Sequence, residues 1–182
     1  MFTKYTDAEK AAIGIYPVED SGTKGDDRFE YTTQATYTWS ASDKKVTTSY
    51  TITEKSLVDI EAKDEDGNNI LDEKGNKTYT YGLKTQAKNL AKQQANSYIK
   101  QFNWLVERSI YDSSKAIPDA VKTYVAAIKT DCTEIETAID SASDMTAFKA
   151  LYQDTFNSDG SVKEIARINR WSDDYDVQQY VR

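Results

Sequence analysis

The chain has 182 residues, 38% hydrophobic and 29% charged, a length that supports one substantial core or two small lobes sharing one. Thirty acidic side chains against twenty-three basic ones give a net charge of −7, so phosphate backbones are repelled and nucleic acid is not an expected partner. Histidine is absent, which removes the commonest general base near neutral pH and the commonest transition-metal ligand, and with them most hydrolase and zinc-site readings.

The opening stretch MFTKYTDAEK has neither the basic start nor the apolar run of a signal peptide. No segment approaches the roughly 20 apolar residues needed to span a bilayer, so a soluble protein made in a cytosol, with no membrane partner, is expected. The first element is a short helix over residues 6–14. Thr6 is placed to cap it, Glu9 to complete a capping box, and Gly14 to end it in the left-handed conformation. Pro17 then keeps the chain extended, and Asp20 to Asp27 reads as a polar loop.

From Arg28 the hydrophobic period changes to two. Phe29, Tyr31, Thr33, Ala35, Tyr37 and Trp39 fall on one face and Glu30, Thr32, Gln34, Thr36, Thr38 and Ser40 on the other. A turn follows, and then Val46, Thr48, Tyr50 and Ile52 alternate with threonine and serine. The spacing predicts an antiparallel hairpin over 28–53 with one aromatic face that something must cover.

Residues 61–80 carry two turn signals, Asp66-Gly67-Asn68 and Lys74-Gly75-Asn76, around Ile70-Leu71, and read as a smaller hairpin or a projecting loop. Asp64 and Asp66 are spaced like the first two ligands of an EF-hand loop. Counting from Asp64, however, Asn69 stands where glycine is needed and Gly75 where the bidentate glutamate is needed, so solvated turns are expected. Glu54, Asp59, Glu61, Asp64, Glu65 and Asp66 also raise the idea of paired carboxylates for glycoside hydrolysis; among turn residues, a solvated acidic run is the plainer reading.

The second half is helical. Leu83, Ala87, Leu90, Ala91, Tyr98, Phe102, Leu105 and Val106 step by threes and fours, which predicts one long amphipathic helix from Leu83 to Ile110. Pro118 and Asp119 open a second helix, on which Ala120, Tyr124, Ala127, Ile128, Ile135, Ala138 and Ile139 form a matching stripe. The short connection makes the two antiparallel neighbours. Cys132, with no partner for a disulfide and no histidine to activate it, is expected as a small core residue. A third helix is capped near Ser143 or Asp144, and after Asn157 to Ser161 a shorter helical piece over 162–171 leads into an extended tail. Trp104 flanks the buried stripe, where its ring can cover the helix seam while its N–H reaches a polar partner. Packing is the expectation for it, and partner contact the alternative.

The fold class is therefore α+β: a β-rich lobe over residues 1–82 and a helical lobe over 83–182 with an extended tail. No glycine-rich phosphate loop and no nucleophile elbow occurs, so no catalytic, cofactor or metal residues are assigned and no enzyme is expected. Contact with a partner is expected at the aromatic hairpin residues Phe29, Tyr31, Tyr37 and Trp39. It is expected also at Arg170, Trp171, Tyr175, Tyr180 and Arg182 in the tail, where guanidinium and aromatic side chains mix as they do at interface hot spots. For Trp171 and Tyr175 the alternative is folding back onto the helical core.

Residues 87–128, AKNLAKQQANSYIKQFNWLVERSIYDSSKAIPDAVKTYVAAI, resemble a helical region of tailed-phage tail-fibre and tail-fibre-assembly proteins. The likeness lies in Asn103-Trp104-Leu105-Val106, a loop, Pro118, and Tyr124-Val125-Ala126-Ala127-Ile128. The stretch TDAEKAAIGIYPVEDSG, followed by Asp27-Arg28-Phe29, is similar to a second element of such proteins. The resemblance implies a phage tail-associated protein, found in the virion and made in the host cytoplasm. Its partners would be other phage structural proteins such as fibre or baseplate subunits, in a symmetric homo-oligomeric assembly. It fits a virion component, an assembly chaperone released before completion or, more remotely, a tail-borne glycan hydrolase.

Overall fold

The computed structural model describes residues 4–173 and 175–181, the side chain of Tyr175 apart. The chain is α+β, with five α-helices and several small sheets among the described residues, and it divides into two compact units, one ending at Lys55 and the other beginning at Ser56. The division falls earlier than the boundary at residue 82 that the sequence suggests, because the turn-rich segment is tied to the helices. The Leu83 N–H donates to the Ser56 carbonyl, and the Gly82 N–H to the Asp59 carboxylate at 2.8 Å. Gly82 also lies so close to this segment that a Cβ on it would sit 2.4 Å from the Val58 carbonyl carbon.

In the first unit, α1 (Asp7–Ala12) starts on the Thr6–Glu9 capping box and is followed by Gly14 at φ +78°. Strand β1 (Val18–Glu19) runs parallel to β4 (Lys45–Ser49), which pairs antiparallel with β3 (Thr36–Ser40), giving the order β1-β4-β3. Strand β2 (Glu30–Thr32) pairs with β5 (Ile52–Glu54) as a separate ladder.

The predicted hairpin is thus present but not continuous. Between the pairs Thr32↔Ile52 and Thr36↔Ser49, Thr33, Gln34 and Ala35 oppose only Tyr50 and Thr51. An extra residue on one strand reverses which side of the sheet the following side chains occupy. Tyr31 therefore opposes Thr53 while Tyr37 opposes Thr48, positions of opposite parity on the return strand. A single aromatic face from Phe29 to Trp39 does not form, and Phe29 precedes the strand in a turn, buried.

The second unit opens with β6 (Ile60–Glu61) and β7 (Tyr79–Thr80), antiparallel. Between them the Asp64–Asn68 and Asp72–Asn76 segments fold as matching five-residue turns. In each, the first aspartate accepts backbone N–H groups two and four residues on, and glycine takes positive φ, +86° at Gly67 and +82° at Gly75. Ala62, Ile70 and Thr78 close a ring of backbone bonds, each 2.9 Å: Ala62 donates to Thr78, Thr78 to Ile70, and Ile70 to Ala62.

Helix α2 (Leu83–Lys100) then packs on α4 (Asp119–Ser141). Ala87, Ala91 and Ala95 recur every fourth residue on α2, so its buried face is small and flat and the aliphatic face of α4 can approach closely. Ile128, Ile135 and Ile139 are fully buried, and Cys132 lies among them as expected, its thiol pushed up by burial. Lys88–Asp140 at 2.8 Å and Lys92–Glu136 at 2.9 Å join the two helices along their rim.

The long helix expected from Leu83 to Ile110 breaks at Gln101–Phe102, where Phe102 leaves the helical conformation at φ −104° and ψ 1°, and α3 (Asn103–Tyr111) follows. No proline or glycine causes the break. Phe102 turns its ring into the core against Tyr124, centroids 5.7 Å apart and nearly perpendicular, and Leu105 is fully buried one turn later. Helix α5 (Met145–Ala150) is capped by Asp144. The helical piece expected over 162–171 is instead β9 (Val162–Glu164), paired with β8 (Thr155–Phe156) across an Asn157–Ser161 turn, and then a 3-10 turn at Arg167–Asn169. The tail is not extended either: Tyr175–Tyr180 forms a 3-10 helix against α4 with Val177 buried.

Candidate contact surfaces

Strand β3 presents the most regular aromatic surface of the first unit. Tyr37 is 62% exposed and Trp39 47%, and the Trp39 ring lies tilted against that of Tyr16, 4.6 Å between centroids. Tyr31, on the separate ladder, is also exposed, with the Lys55 ammonium 5.1 Å from its ring centre. Behind β3 the strand β4 is anchored from the other side. The Thr48 hydroxyl donates to Asp20 at 2.8 Å and the Tyr50 hydroxyl to the same carboxylate at 3.1 Å, and Gly22 lies close against the Tyr50 ring. The Asp20 carboxyl is held below the ordinary range, first by the Thr48 hydroxyl and then by that of Tyr50.

Of the tail residues, Arg170 remains at the surface, bonded to Glu164 and to the Ile165 carbonyl. Trp171 is half-buried, its ring 5.6 Å from that of Tyr98 and its buried N–H without an acceptor among the described residues. Tyr180 is half-buried, and its carbonyl accepts the Trp104 indole N–H at 3.0 Å. Arg108 lies over the Trp104 ring, 5.2 Å from its centre. Trp104 thus joins α3 to the tail, and Trp171 folds back on the helical core. The Tyr175 side chain and Arg182 lie outside the described residues.

The helix break creates a surface that the sequence does not announce. Where α2 ends and α3 departs, Ile99, Phe102 and Val106 face Ile117, Val121 and Val125 across a groove of about 140 Å³, with Asn103 and Lys122 at its margin. Val106 is 45% exposed, and Ile110 and Tyr111 project further along α3. Ile99 also borders a more open depression of about 350 Å³ edged by Lys92, Lys129, Thr133 and Glu136. A periodic stripe identifies Phe102 and Val106 as apolar, but the concavity between them and α4 lies where the helix is interrupted at Gln101–Phe102, which the stripe does not show.

Three carboxylates of the acidic run, Asp59, Glu61 and Asp64, have structural partners. Asp59 accepts from Gly82, Glu61 pairs with Lys77 at 2.7 Å, and Asp64 is held below the ordinary range chiefly by the Asn68 backbone N–H. Asp72 is lowered in the same way by the Asn76 N–H. A general acid for glycoside cleavage needs the opposite, a carboxyl raised by burial. Among the described residues no group of three or more histidine, cysteine or acidic side chains is placed to hold a metal ion, and no helix is long and apolar enough to cross a membrane. Compared with known proteins, the chain matches no family model, no curated protein and no solved structure.

Proposed function

We propose that the chain is a structural protein of a tailed-phage particle, in the tail, baseplate, neck or fibre attachment, and that it acts by protein–protein contact. The observation that carries this reading is the apolar groove at the α2–α3 break. Every residue lining it, from Ile99 to Val125, lies inside the stretch 87–128 that resembles tail-fibre and tail-fibre-assembly proteins. A concave apolar patch with a polar margin is the form in which a partner's side chain is bound and desolvated.

Mass spectrometry of washed, purified particles tests the setting: a virion component is present in stoichiometric amount. Detection only in infected-cell lysate would make it a released assembly chaperone, and detection in neither would remove the phage setting. Val106→Lys places a charge on the groove at an exposed position. It should leave the melting temperature unchanged while excluding the chain from particles.

A further inference from the structure

We propose that β3 pairs antiparallel with β3 of a second copy of this chain, about a twofold axis at Thr38, joining two three-stranded sheets edge to edge. Strand β3 ends the order β1-β4-β3 and has one bonded neighbour among the described residues. The direction of its free backbone groups follows from β4. Val46 donates its N–H to the Pro17 carbonyl, toward β1, and alternate residues of a strand point their backbone groups to opposite sides. Lys45, Thr47 and Ser49 therefore bond β3 through their partners Ser40, Thr38 and Thr36, and the N–H and C=O groups of Tyr37 and Trp39 face the open edge.

An edge of this kind is a template for another strand unless something blocks it, usually charge, proline or a cover. The other strands of this unit carry such blocks: Pro17 and Glu19 at β1, Glu30 on β2, Glu54 and Lys55 at β5. The stretch from Tyr31 to Ser42 has neither a charged residue nor a proline, in a chain that is 29% charged. Thr36, Tyr37, Thr38 and Trp39 are all exposed.

The occupant is read from the pattern. Thr36-Tyr37-Thr38-Trp39-Ser40 alternates hydroxyl and aromatic symmetrically about Thr38. Antiparallel self-pairing at that centre sets Tyr37 opposite Trp39 of the second copy twice, and Thr36 opposite Ser40 twice. These are the aromatic and hydroxyl cross-strand pairs that stabilise sheets, and no like charges meet. The Tyr37–Trp39 pairs carry the backbone bonds, and Thr38 meets Thr38 as a non-hydrogen-bonded pair with Cα atoms about 4.5 Å apart. The unit also has reason to pair: Phe29 and Thr48 are its only buried residues among those described, and so few strands with so little core are marginal alone.

The test is sedimentation velocity on the purified full chain over a range of concentrations, which needs no phage particle and so stands or falls apart from the tail setting. The expected result is a reversible dimer. Thr38→Lys sets two ammonium groups face to face on the axis and should raise the dimer dissociation constant roughly tenfold or more with the circular dichroism unchanged. Thr38→Cys in a Cys132→Ala background should form an intermolecular disulfide on mild oxidation, the Cα separation lying within the bridging range. A chain monomeric at every concentration overturns the proposal, leaving the edge to a foreign strand. So does a dimer that Thr38→Lys leaves intact, or one in which Thr38→Cys does not crosslink.

Discussion

Each of the two units is stabilised internally by different chemistry. In the second, aliphatic side chains of α4 close on an alanine face of α2, and Leu105, Ile128, Ile135, Ile139, Phe148 and Val177 are removed from water. In the first, Phe29 and Thr48 are the buried residues among those described, and the loop from Asp20 is fastened by hydroxyl–carboxylate bonds. Burial of apolar area is the dominant favourable term in folding, whereas a net hydrogen bond contributes about 1 kcal/mol. The helical unit thus satisfies its own apolar surface to a degree the sheet unit does not. Tyr31, Tyr37 and Trp39 remain outside, where contact with another chain can still remove them from water.

The largest expected effect separates the two. Ile135→Ala removes a fully buried side chain from the α2–α4 interface and should cost about 2–5 kcal/mol, seen as a lower midpoint for loss of helical circular dichroism in urea. Phe29→Ala should cost a comparable about 3–5 kcal/mol, but in the sheet unit, leaving the helical midpoint in place. A helical midpoint that moved equally with both substitutions would show that the two cores unfold as one.

A smaller effect is expected where the tail meets the helices. Trp104→Phe keeps a ring over α3 but removes the indole N–H that donates to the Tyr180 carbonyl, leaving that half-buried acceptor unpaired. The loss should be about 1 kcal/mol of stability, with faster exchange of the Val181 amide, which is bonded to Gln178 at the end of the same 3-10 helix. Unchanged exchange at Val181 would mean that other contacts hold the tail: buried Val177, the Trp171 ring on Tyr98, and the Ser172 N–H on the Asp131 carboxylate.

Which parts of this were readable depended on whether the cause was local. The α1 capping box, the Asp144 cap, the paired helices and the buried Cys132 follow from residue spacing within a few positions. The bulge at Thr33–Ala35 does not, because β propensity and alternation continue straight through Thr33, Gln34 and Ala35, and only the return strand, one residue shorter, fixes the register. The break at Gln101–Phe102 is hidden for a similar reason: Phe102 is in phase with the stripe, and its preference for the Tyr124 ring over helical continuity is a tertiary contact. The groove depends on that break and was hidden with it. Val162–Glu164 misleads because one β-branched residue followed by two charged ones suits helix or strand, and the Gly160 turn decides.

The finest expected difference between the units is in acid. Asp20 titrates below the ordinary aspartate range because the Thr48 and then the Tyr50 hydroxyl donate to its charged form. A folded-state value depressed below the unfolded one, about 3.9, stabilises the fold above that pH and is lost as pH falls through the folded value. The sheet unit should therefore loosen at pH below about 4 as Asp20 takes up its proton and the loop over Tyr50 lets go. Carboxyl-detected NMR should show Asp20 titrating late, with the Tyr50 ring resonances moving in step, and Asp20→Asn should abolish that step. Asp144 at the start of α5 is likewise lowered, by the Ala147 N–H, but its protonation should fray one helix end and leave the Ile128–Ile135–Ile139 core folded. If Asp20 titrated at the ordinary value and the Tyr50 signals stayed still, the polar fastening of the first unit would be absent, and its stability would have to come from the exposed aromatic edge finding a partner.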